Sequence, residues 1–371
     1  MIYLDNAATT KPCGEVIEKA NEMMKTLWAN PSSLYSLGMY AEDEIEAARA
    51  SVAKLIGAKE SNIIFTSGGT EANNLAVFSA LKSTRHVGKR IVASAYEHSS
   101  VLQVLKSLEG YTLTLLPPES DGTISAQRLK AALTPDTALV CIMLTNNEVG
   151  GVNDIKKLVQ ITRENAPKAH FHADCVAGLG KTPINALGFG VDTLSVSAHK
   201  IHALKGTGAL YFKNNVKPLI MGGEQERKLR GGTQNAVGIA CFGKACEIAR
   251  RDFSKNQNNA EKLKARVLQW ADKLDFVKIN AKNSFSYVTN ISVEGIRSEI
   301  LLHFLESKDI FISSGSACSK GAKSHVLKSL NISEKDIDCA IRISLSCENT
   351  ENDIDRLFEE ITNAFNKLQK R

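Results

Sequence analysis

A lysine lies just past a short apolar stretch in this chain, in the sequence Ser195-Val-Ser-Ala-His-Lys200. The stretch Thr193–Val196 predicts a buried strand, and Gly206-Thr-Gly208 precedes a second predicted strand, Ala209–Phe212. Lys200 therefore lies at the carboxyl end of a strand, where open α/β sheets bind ligands. A lysine desolvated there loses proton affinity and becomes a nucleophilic amine that can form a Schiff base. The alternative is a solvated loop lysine.

A glycine-rich turn, Ser67-Gly68-Gly69-Thr70-Glu71, joins another predicted strand to a predicted helix. Glycines let neighbouring backbone N–H groups point toward one spot, Thr70 can cap the helix, and the helix dipole favours an anion. The turn is thus suited to a phosphate group, with an ordinary strand-to-helix connection as the alternative.

Three further predicted strands end in polar or aromatic side chains. One ends in Tyr96-Glu97-His98, whose imidazole is either a structural histidine or a stacking surface. The next ends in Asn146-Asn147-Glu148, which offers donors for a phenolate or a carboxylate. In His170-Phe-His172-Ala-Asp174, the period of two places both histidines and the aspartate on one face, a pattern that also permits a metal site.

Together these strand ends offer an anion-binding turn, an aromatic ring, an amide and a carboxylate, with Lys200 beside them. Pyridoxal phosphate needs all of these groups. Its aldehyde bonds a lysine, its pyridine nitrogen pairs with a carboxylate, its ring stacks, and its phosphate binds at a helix N-terminus. The residues therefore predict an enzyme that uses this cofactor.

Seven largely apolar segments predict strands, and helical patterns such as 71–81 and 154–165 separate several of them. Continuous apolarity indicates strands covered on both faces, so we expect an α/β fold with a mainly parallel seven-stranded sheet flanked by helices. A long amphipathic segment, 242–274, and a final helix, 351–370, predict a smaller α+β domain. We expect residues 15–250 to form the large domain, and residues 1–14 and 251–371 the small one. The predicted strands are Ile63–Thr66, Arg90–Ala95, Thr112–Leu116, Ala138–Thr145, Ala169–Ala173, Thr193–Ser197 and Ala209–Phe212.

Composition excludes several classes of protein. The 371 residues are 43% hydrophobic and 23% charged, as in soluble globular proteins, and no apolar stretch approaches the roughly 18 residues of a membrane helix. The net charge of +6 is mild and the lysines are dispersed, so we expect no nucleic-acid partner and no membrane partner. No basic or apolar leader precedes the predicted strand Ile2–Leu4, which favours the cytoplasm. The eight cysteines lack a Cys-x-x-Cys pair and predict neither a disulfide framework nor a zinc ribbon.

Along nearly its whole length the chain resembles the cysteine desulfurases, in the class-V aminotransferase branch of the fold-type I pyridoxal phosphate enzymes. The resemblance implies fold-type I architecture, a homodimer, L-cysteine as substrate and L-alanine as product. It also implies a sulfur-acceptor protein, such as an iron–sulfur scaffold, for iron–sulfur cluster assembly or thio-modification. The matching motifs are Tyr3–Thr10, Asn30–Ser33, Thr66–Asn74, Glu97-His98, Asn146–Glu148, Ser197–Lys200, Arg230–Thr233, Ser313–Cys318 and Arg342–Ser344.

The resemblance also implies roles for individual residues. Lys200, Cys318 and His98 would be catalytic: Lys200 bonds the cofactor aldehyde, Cys318 accepts the sulfur as a persulfide, and His98 stacks on the ring. Asn147 and Arg342 would bind the substrate carboxylate, and no residue would bind a metal. The full implied set of cofactor-binding residues is Gly69, Thr70, Glu71, His98, Asn147, Asp174, Ser197, His199, Lys200 and, from a second subunit, Thr233.

Cys318 has its own physical signature. It lies in the small-residue loop 313–321, which cannot form a core and which we expect to be mobile and exposed. Lys320 would favour its reactive thiolate form. The alternative, a buried inert thiol, better suits the cysteines within apolar stretches, Cys141, Cys241 and Cys246.

The chain departs from the family pattern at three places. Ala177 stands where the family usually has a glutamine, so one donor to the cofactor's phenolic oxygen is missing. Ile201-His-Ala-Leu-Lys205 replaces the usual Ile-His-Gly-Pro-Lys, and the stretch from Cys318 to Val326 is shorter than in many relatives. The last difference leaves the choice of sulfur acceptor open.

Three alternatives accompany the desulfurase hypothesis. The chain could catalyse another pyridoxal phosphate reaction on a small amino acid, such as transamination or β-elimination. It could be a weakly active scaffold that binds the cofactor and engages sulfur-transfer partners, an alternative that the Ala177 and Ala203-Leu204 changes motivate. It could also be a metal hydrolase built on His170, His172 and Asp174, the weakest alternative because no second carboxylate cluster supports it.

Overall fold

The computed structural model describes residues 1–214, 216–282, 285–314 and 323–368. It confirms the predicted α/β fold, with a seven-stranded sheet in one region and a four-stranded sheet in another. The described strands are β1 Ile2–Tyr3, β2 Ile63–Thr66, β3 Arg90–Ser94, β4 Thr112–Leu116, β5 Thr137–Cys141, β6 His170–Asp174, β7 Thr193–Ser197, β8 Gly208–Phe212, β9 Val277–Ile279, β10 Val288–Val293, β11 Ile310–Phe311, β12 Ser313–Ser314 and β13 Ala340–Ser344.

Helices separate most of these strands in the sequence. Those described are α1 Gly14–Thr26, α2 Ser36–Leu55, α3 Gly69–Thr84, α4 Ser99–Lys106, α5 Ala126–Ala132, α6 Ile155–Asn165, α7 Ala186–Phe189, α8 Ala236–Arg251, α9 Phe253–Lys273, α10 Ser298–Glu306, α11 His325–Ser329, α12 Glu334–Asp338 and α13 Glu351–Leu368. Short 3-10 turns occur at Glu60–Asn62, Ala198–Lys200 and Gln225–Lys228.

The large sheet has the strand order β2-β8-β7-β6-β5-β3-β4. Pairs from β7 through β4 are parallel, and β8 pairs antiparallel with both β7 and β2. Successive residues face opposite layers: Ile91 packs in the cluster containing Val77 and Val101 of α3 and α4, whereas Val92 packs in the largest core. Burial on both faces explains the continuous apolar pattern, and the carboxyl ends of β3, β5, β6 and β7 meet at one edge.

The predicted strand ends are accurate to about one residue, with one exception. The segment predicted as strand 138–145 forms β5 only as far as Cys141, so the predicted end at Thr145 is wrong. Residues 142–144 stay buried after the strand ends, which explains their apolar character. The predicted amphipathic segment 242–274 is likewise two helices, α8 and α9, separated at Asp252.

The small sheet is antiparallel, with the order β12-β13-β10-β9, and β1 pairs with β11 beside it. Ile2 and Leu4 share its core with residues of α9 and α13, as expected if residues 1–14 belong to the small domain. Val326 and Leu327 of α11 pack instead in the largest core, so the two regions are joined by apolar contacts. The division into two domains stays a prediction.

None of the helices in the described ranges is long and apolar enough to cross a membrane. The expected cytoplasmic location stays a prediction.

Candidate active site

A cleft of about 340 Å³ opens at the carboxyl edge of β6 and β7, beside the N-terminus of α3. This volume lies within the usual range for cofactor sites. The structure brings nine of the predicted site residues to its lining: Gly69, Thr70, His98, Asn147, Asp174, Ser197, His199, Lys200 and Arg342.

Lys200 closes the 3-10 turn that follows β7. Its Nζ donates hydrogen bonds to the backbone oxygens of Ala7, at 2.5 Å, and Ala8, at 2.9 Å. The side chain is half-buried and lines the cleft, so the structure places Lys200 where the sequence predicts a reactive amine. The N-terminal segment thus positions the amine that the sequence predicts to be reactive.

Asp174 ends β6 and is almost fully buried. Its Oδ1 accepts a hydrogen bond from the backbone N–H of Val176 at 2.9 Å, and its Oδ2 accepts one from Asn73 Nδ2 at 2.8 Å. These two donors fix the carboxylate while it still borders the cleft. A carboxylate held in this way can pair with a protonated ring nitrogen.

Asn73 of α3 links several cleft residues, and the sequence did not predict a site role for it. Its Nδ2 also donates to Ser100 Oγ at 2.8 Å, and its Oδ1 lies 3.0 Å from His172 Nε2. No signal in the sequence marks this role, because the face that a helical residue presents to the sheet depends on how the helix is rotated against it. One side chain therefore connects α3 to α4 and to β6.

His98 lies at the N-cap of α4 and lines the cleft. Its Nδ1 accepts a hydrogen bond from the Ser100 backbone N–H at 3.2 Å and lies 2.8 Å from Ser100 Oγ. Because Nδ1 is an acceptor, the network assigns the neutral tautomer with hydrogen on Nε2. Burial lowers the pKa of His98, Asp174 opposes that shift, and Lys200 adds to it. A neutral ring at this position suits stacking on a flat cofactor.

The glycine turn forms the end of the cleft at α3. A Cβ built on Gly69 would lie 2.7 Å from Val176 Cγ2, so a larger residue at the helix start would have to push the Val176 side chain aside. Thr70 is exposed at the opening and Ser197 is buried at the end of β7. Two hydroxyls and the first turn of a 16-residue helix can hold an anion here, as the sequence predicts.

His199 lies beside this anion-binding end. Its Nδ1 is 3.1 Å from Thr9 Oγ1, and its backbone oxygen accepts from the backbone N–H of Thr10 at 3.0 Å. Burial lowers the pKa of His199 to about 4, with Lys200 adding to the shift, so the ring is neutral at pH 7. It can donate a hydrogen bond to a phosphate without adding a charge.

Arg342 of β13 enters the cleft from the small sheet and is 2% exposed. Its Nη2 donates to Asp5 Oδ1 at 2.6 Å and its Nη1 to the Asn147 backbone oxygen at 3.1 Å. Its Nε is buried and has no hydrogen-bond partner among the described residues. A guanidinium held on one side with a donor to spare can bind a carboxylate.

Two of the predicted site residues that the structure describes, Glu71 and Thr233, do not line the cleft. The Glu71 carboxylate accepts hydrogen bonds from Arg230 Nε and from the Ser67 backbone N–H, both at 2.9 Å. Thr233 is exposed, and its proposed contact requires a second subunit. Cys318 and Lys320 lie outside the described residues.

The histidines of β6 do not form a metal centre. His170 Nε2 and His172 Nδ1 both face Thr193 Oγ1, at 2.8 Å and 3.0 Å. Burial lowers the pKa of His170 to about 4 and of His172 to about 3, so both rings are neutral. Within the described ranges, no group of three His, Cys, Asp or Glu residues could hold a metal ion. The histidines are therefore hydrogen-bonding partners within the sheet.

The chain belongs to the class-V aminotransferase family, whose pattern matches residues 2–357. Among curated proteins it is 38% identical to the cysteine desulfurase IscS of Methanosarcina thermophila, over 99% of this chain and 93% of that protein. It is 37% identical to the putative cysteine desulfurase IscS 1 of Bacillus subtilis strain 168, over 99% of both chains. Its relatives confirm the cysteine desulfurase family that the motifs resemble.

Solved structures agree with this assignment. A NifS-like protein superposes with a TM-score of 0.93 at 32% identity, covering 98% of this chain and 99% of that one. A NifS-like protein from Rickettsia africae ESF-5 gives a TM-score of 0.89 at 31% identity, covering 99% of both. The predicted fold-type I architecture is therefore confirmed.

Proposed function

We propose that this chain is a pyridoxal phosphate-dependent cysteine desulfurase, which converts L-cysteine to L-alanine and transfers the sulfur to Cys318 as a persulfide. The observation that carries the proposal is the convergence of Lys200, Asp174 and His98 in one cleft that Arg342 also lines. The cysteine desulfurases at 37% and 38% identity support the choice of reaction.

The residues fit the proposed cofactor group by group. The Lys200 amine would bond the aldehyde, the Asp174 carboxylate would hold a proton on the ring nitrogen, and the neutral His98 ring would stack. Thr70, Ser197 and His199 would bind the phosphate, for which the Gly69 turn leaves space. When bound, pyridoxal phosphate supplies an electron sink for the bonding electrons of the substrate α-carbon.

The side chains of this protein would then bind and orient cysteine. The Arg342 guanidinium, held by Asp5 and the Asn147 backbone, would place the substrate carboxylate, since a guanidinium has more N–H donors than these two contacts use. Lys200 would take and return protons at the substrate α-carbon. The Cys318 thiolate would attack the substrate sulfur, so that a sulfur–sulfur bond forms as the sulfur–carbon bond breaks. The electrons of the broken bond would stay with the substrate carbon, which takes a proton to give alanine, while the persulfide remains on the enzyme.

We also propose a homodimer. The segment from Trp28 to Tyr40 exposes a run of large apolar side chains: Trp28, Leu34, Tyr35, Leu37, Met39 and Tyr40. An apolar surface of this kind typically marks a protein interface. The family resemblance implies that a second copy of this chain covers this surface. Thr233 is exposed, so it could contact the phosphate bound by that second copy. The persulfide would then pass to an acceptor protein such as an iron–sulfur scaffold.

Mass spectrometry after incubation with cysteine tests this function. We expect added sulfur on the Cys318 peptide of the wild-type protein and none in Cys318→Ser, because a hydroxyl offers almost no anion at neutral pH. The variant should keep the visible absorption band of the bound cofactor. The matched control is Cys347→Ser, which removes an exposed thiol elsewhere in the chain and should leave persulfide formation unchanged. Sulfur on Cys347, or wild-type alanine release by Cys318→Ser, would contradict the proposal.

A further inference from the structure

Glu71 lies in the first turn of α3, beside the anion-binding turn, and has no role in the mechanism above. Its Oε1 accepts a hydrogen bond from Arg230 Nε at 2.9 Å, and its Oε2 accepts one from Arg230 Nη2 at 3.3 Å. Oε2 also accepts a hydrogen bond from the Ser67 backbone N–H at 2.9 Å. The Glu71 side chain is 12% exposed, so this two-pronged ion pair is better shielded from water than a surface pair. One carboxylate therefore joins the anion-binding turn to a distant part of the chain.

Arg230 belongs to a loop between β8 and α8, residues 220–234, which we call the Thr233 loop. Two glycines separate Arg230 from Thr233. Glycine restricts the backbone less than any other residue, so contacts made by neighbouring groups must fix where Thr233 lies. One such contact is the hydrogen bond from the Gly231 N–H to the Ile220 oxygen, at 3.0 Å. The ion pair of Arg230 is another.

A second carboxylate holds the other side of Thr233. Gln234 Nε2 donates to Glu226 Oε1 at 2.7 Å, and Glu226 Oε2 accepts from Arg49 Nη1 and the Phe65 backbone N–H, both at 2.8 Å. Glu226 is buried, and its φ of 46° is in the left-handed region, which is unfavourable for residues other than glycine. These contacts fix the loop to α2 and β2. Thr233 thus lies between two residues that are each bonded to a carboxylate.

We propose that Glu71 is a positioning residue, which holds the anion-binding turn through the Ser67 N–H and the Thr233 loop through Arg230. Glu71 does not line the cleft, so it acts on a bound phosphate only through these two groups. In the proposed homodimer, Thr233 contacts the phosphate bound by the second copy. One ion pair then serves the phosphate sites of both subunits. The inference rests on the proposed function, which makes the bound anion the phosphate of pyridoxal phosphate.

Hydrogen exchange of the full-length chain, without added pyridoxal phosphate, tests whether Glu71 holds the Thr233 loop. Arg230→Gln and Glu71→Gln each remove one charge of the pair. We expect each variant to raise amide exchange in peptides that cover residues 229–234 about tenfold, because the loop loses a charged hydrogen-bonded contact. Mass spectrometry of the peptides measures the exchange.

The matched control is Arg266→Gln, which breaks another two-pronged pair, between α9 and α13. Arg266 Nε and Nη2 donate to the two Asp355 carboxylate oxygens at 2.6 Å and 3.0 Å. The control should leave exchange in the Thr233 loop unchanged, and circular dichroism checks that every variant is folded. Unchanged exchange in either loop variant, or an equal increase in the control, would overturn the proposal.

The affinity for pyridoxal phosphate, measured by titration of the visible band, tests the consequence for the cofactor. We expect Arg230→Gln to weaken binding about tenfold. Arg230→Lys keeps the charge and should weaken it less. Thr233→Val removes the hydroxyl through which Arg230 would act. The double variant Arg230→Gln/Thr233→Val should therefore lose less affinity than the product of the two single losses.

Two affinity results would contradict the positioning role: a double variant that loses the full product, or Arg230→Lys binding as weakly as Arg230→Gln. The first would mean that Arg230 and Thr233 act independently, and the second that the charge of Arg230 does not matter. Neither measurement needs turnover. A chain that binds the cofactor but forms no persulfide would refute the proposed function and still test this inference, and the exchange experiment needs no cofactor at all.

Discussion

The two sides of the cleft differ in how completely their polar groups are paired. On the large-sheet side, Asp174, Asn73 and His172 are bonded to one another or to neighbouring backbone and hydroxyl groups. On the small-sheet side, Arg342 is bonded to Asp5 and Asn147, and its buried Nε has no partner in the part of the chain that the structure describes. The first arrangement holds its groups rigid before anything binds, whereas the second leaves a donor for a ligand. A permanent cofactor suits the large-sheet side, and a substrate that comes and goes suits the other.

Lys200→Ala should have the largest effect. Without the amine, we expect no borohydride-sensitive visible band and no detectable alanine production, while the fold remains because Lys200 is only half-buried at the sheet edge. Lys213→Ala, which alters an exposed lysine at the end of β8, is the matched control and should behave as wild type. A borohydride-sensitive band in Lys200→Ala would disprove the assignment of this lysine.

Asp174→Asn tests the large-sheet side of the cleft. The amide cannot stabilise a charged ring nitrogen, and its NH2 group would face the Asn73 NH2 donor or the Val176 N–H donor. A hydrogen bond to a charged group is worth roughly 1.5–3 kcal/mol, so alanine production should fall by about 10- to 100-fold. Asp154→Asn is the control, since asparagine caps α6 as well as aspartate does. Activity close to wild type in Asp174→Asn would refute the proposed pairing.

Arg342→Lys tests the small-sheet side of the cleft. A lysine keeps the charge but loses the planar fork, so we expect KM for cysteine to rise about tenfold or more, with a smaller change in kcat. The visible band of the bound cofactor should not change, because Arg342 bonds to Asp5 and Asn147 rather than to Asp174 or His98. Steady-state kinetics with cysteine give both constants. An unchanged KM would mean that another group binds the substrate carboxylate.

The smallest effect concerns stability rather than catalysis. His172 is fully buried, and burial lowers its pKa to about 3, so below the ordinary pKa of about 6.5 the unfolded chain binds a proton that the folded chain does not. Stability is therefore lost as the pH falls from about 6.5 toward 3, by about 2 kcal/mol at pH 5. Urea unfolding at pH 7 and pH 5 should show a smaller drop for His172→Gln than for wild type. Equal drops would assign the pH dependence to other groups.

Much of this cleft could be predicted from the sequence, because the residues that follow parallel strands lie together at the carboxyl edge of the sheet. The strand patterns placed Lys200, Asp174 and His98 there without knowledge of their contacts. The role of Asn73 could not be predicted, because it depends on how α3 is rotated against β6 and β7. The contacts of Ala7 and Ala8 with Lys200 could not be predicted either, because they are made by backbone oxygens, which every residue has. Glu71 shows that a motif can also suggest too much. It lies in a motif that the family resemblance assigns to cofactor binding, yet its carboxylate binds Arg230.

The first ten residues are tied to distant parts of the chain. Ala7 and Ala8 bond Lys200, the Ala7 backbone N–H donates to Ser344 Oγ at 2.9 Å, and Asn6 Nδ2 donates to the Ser344 oxygen at 3.0 Å. The contacts with Ser344 join residues that are far apart in the sequence, and closing such long loops slows folding. During translation the first segment leaves the ribosome long before residue 344 is made, so the lysine pocket is completed only near chain release. A chain that stalled or ended before residue 344 would carry every cofactor-binding strand and the first ten residues, yet it would lack the Ser344 contacts that hold Asn6 and Ala7 in place.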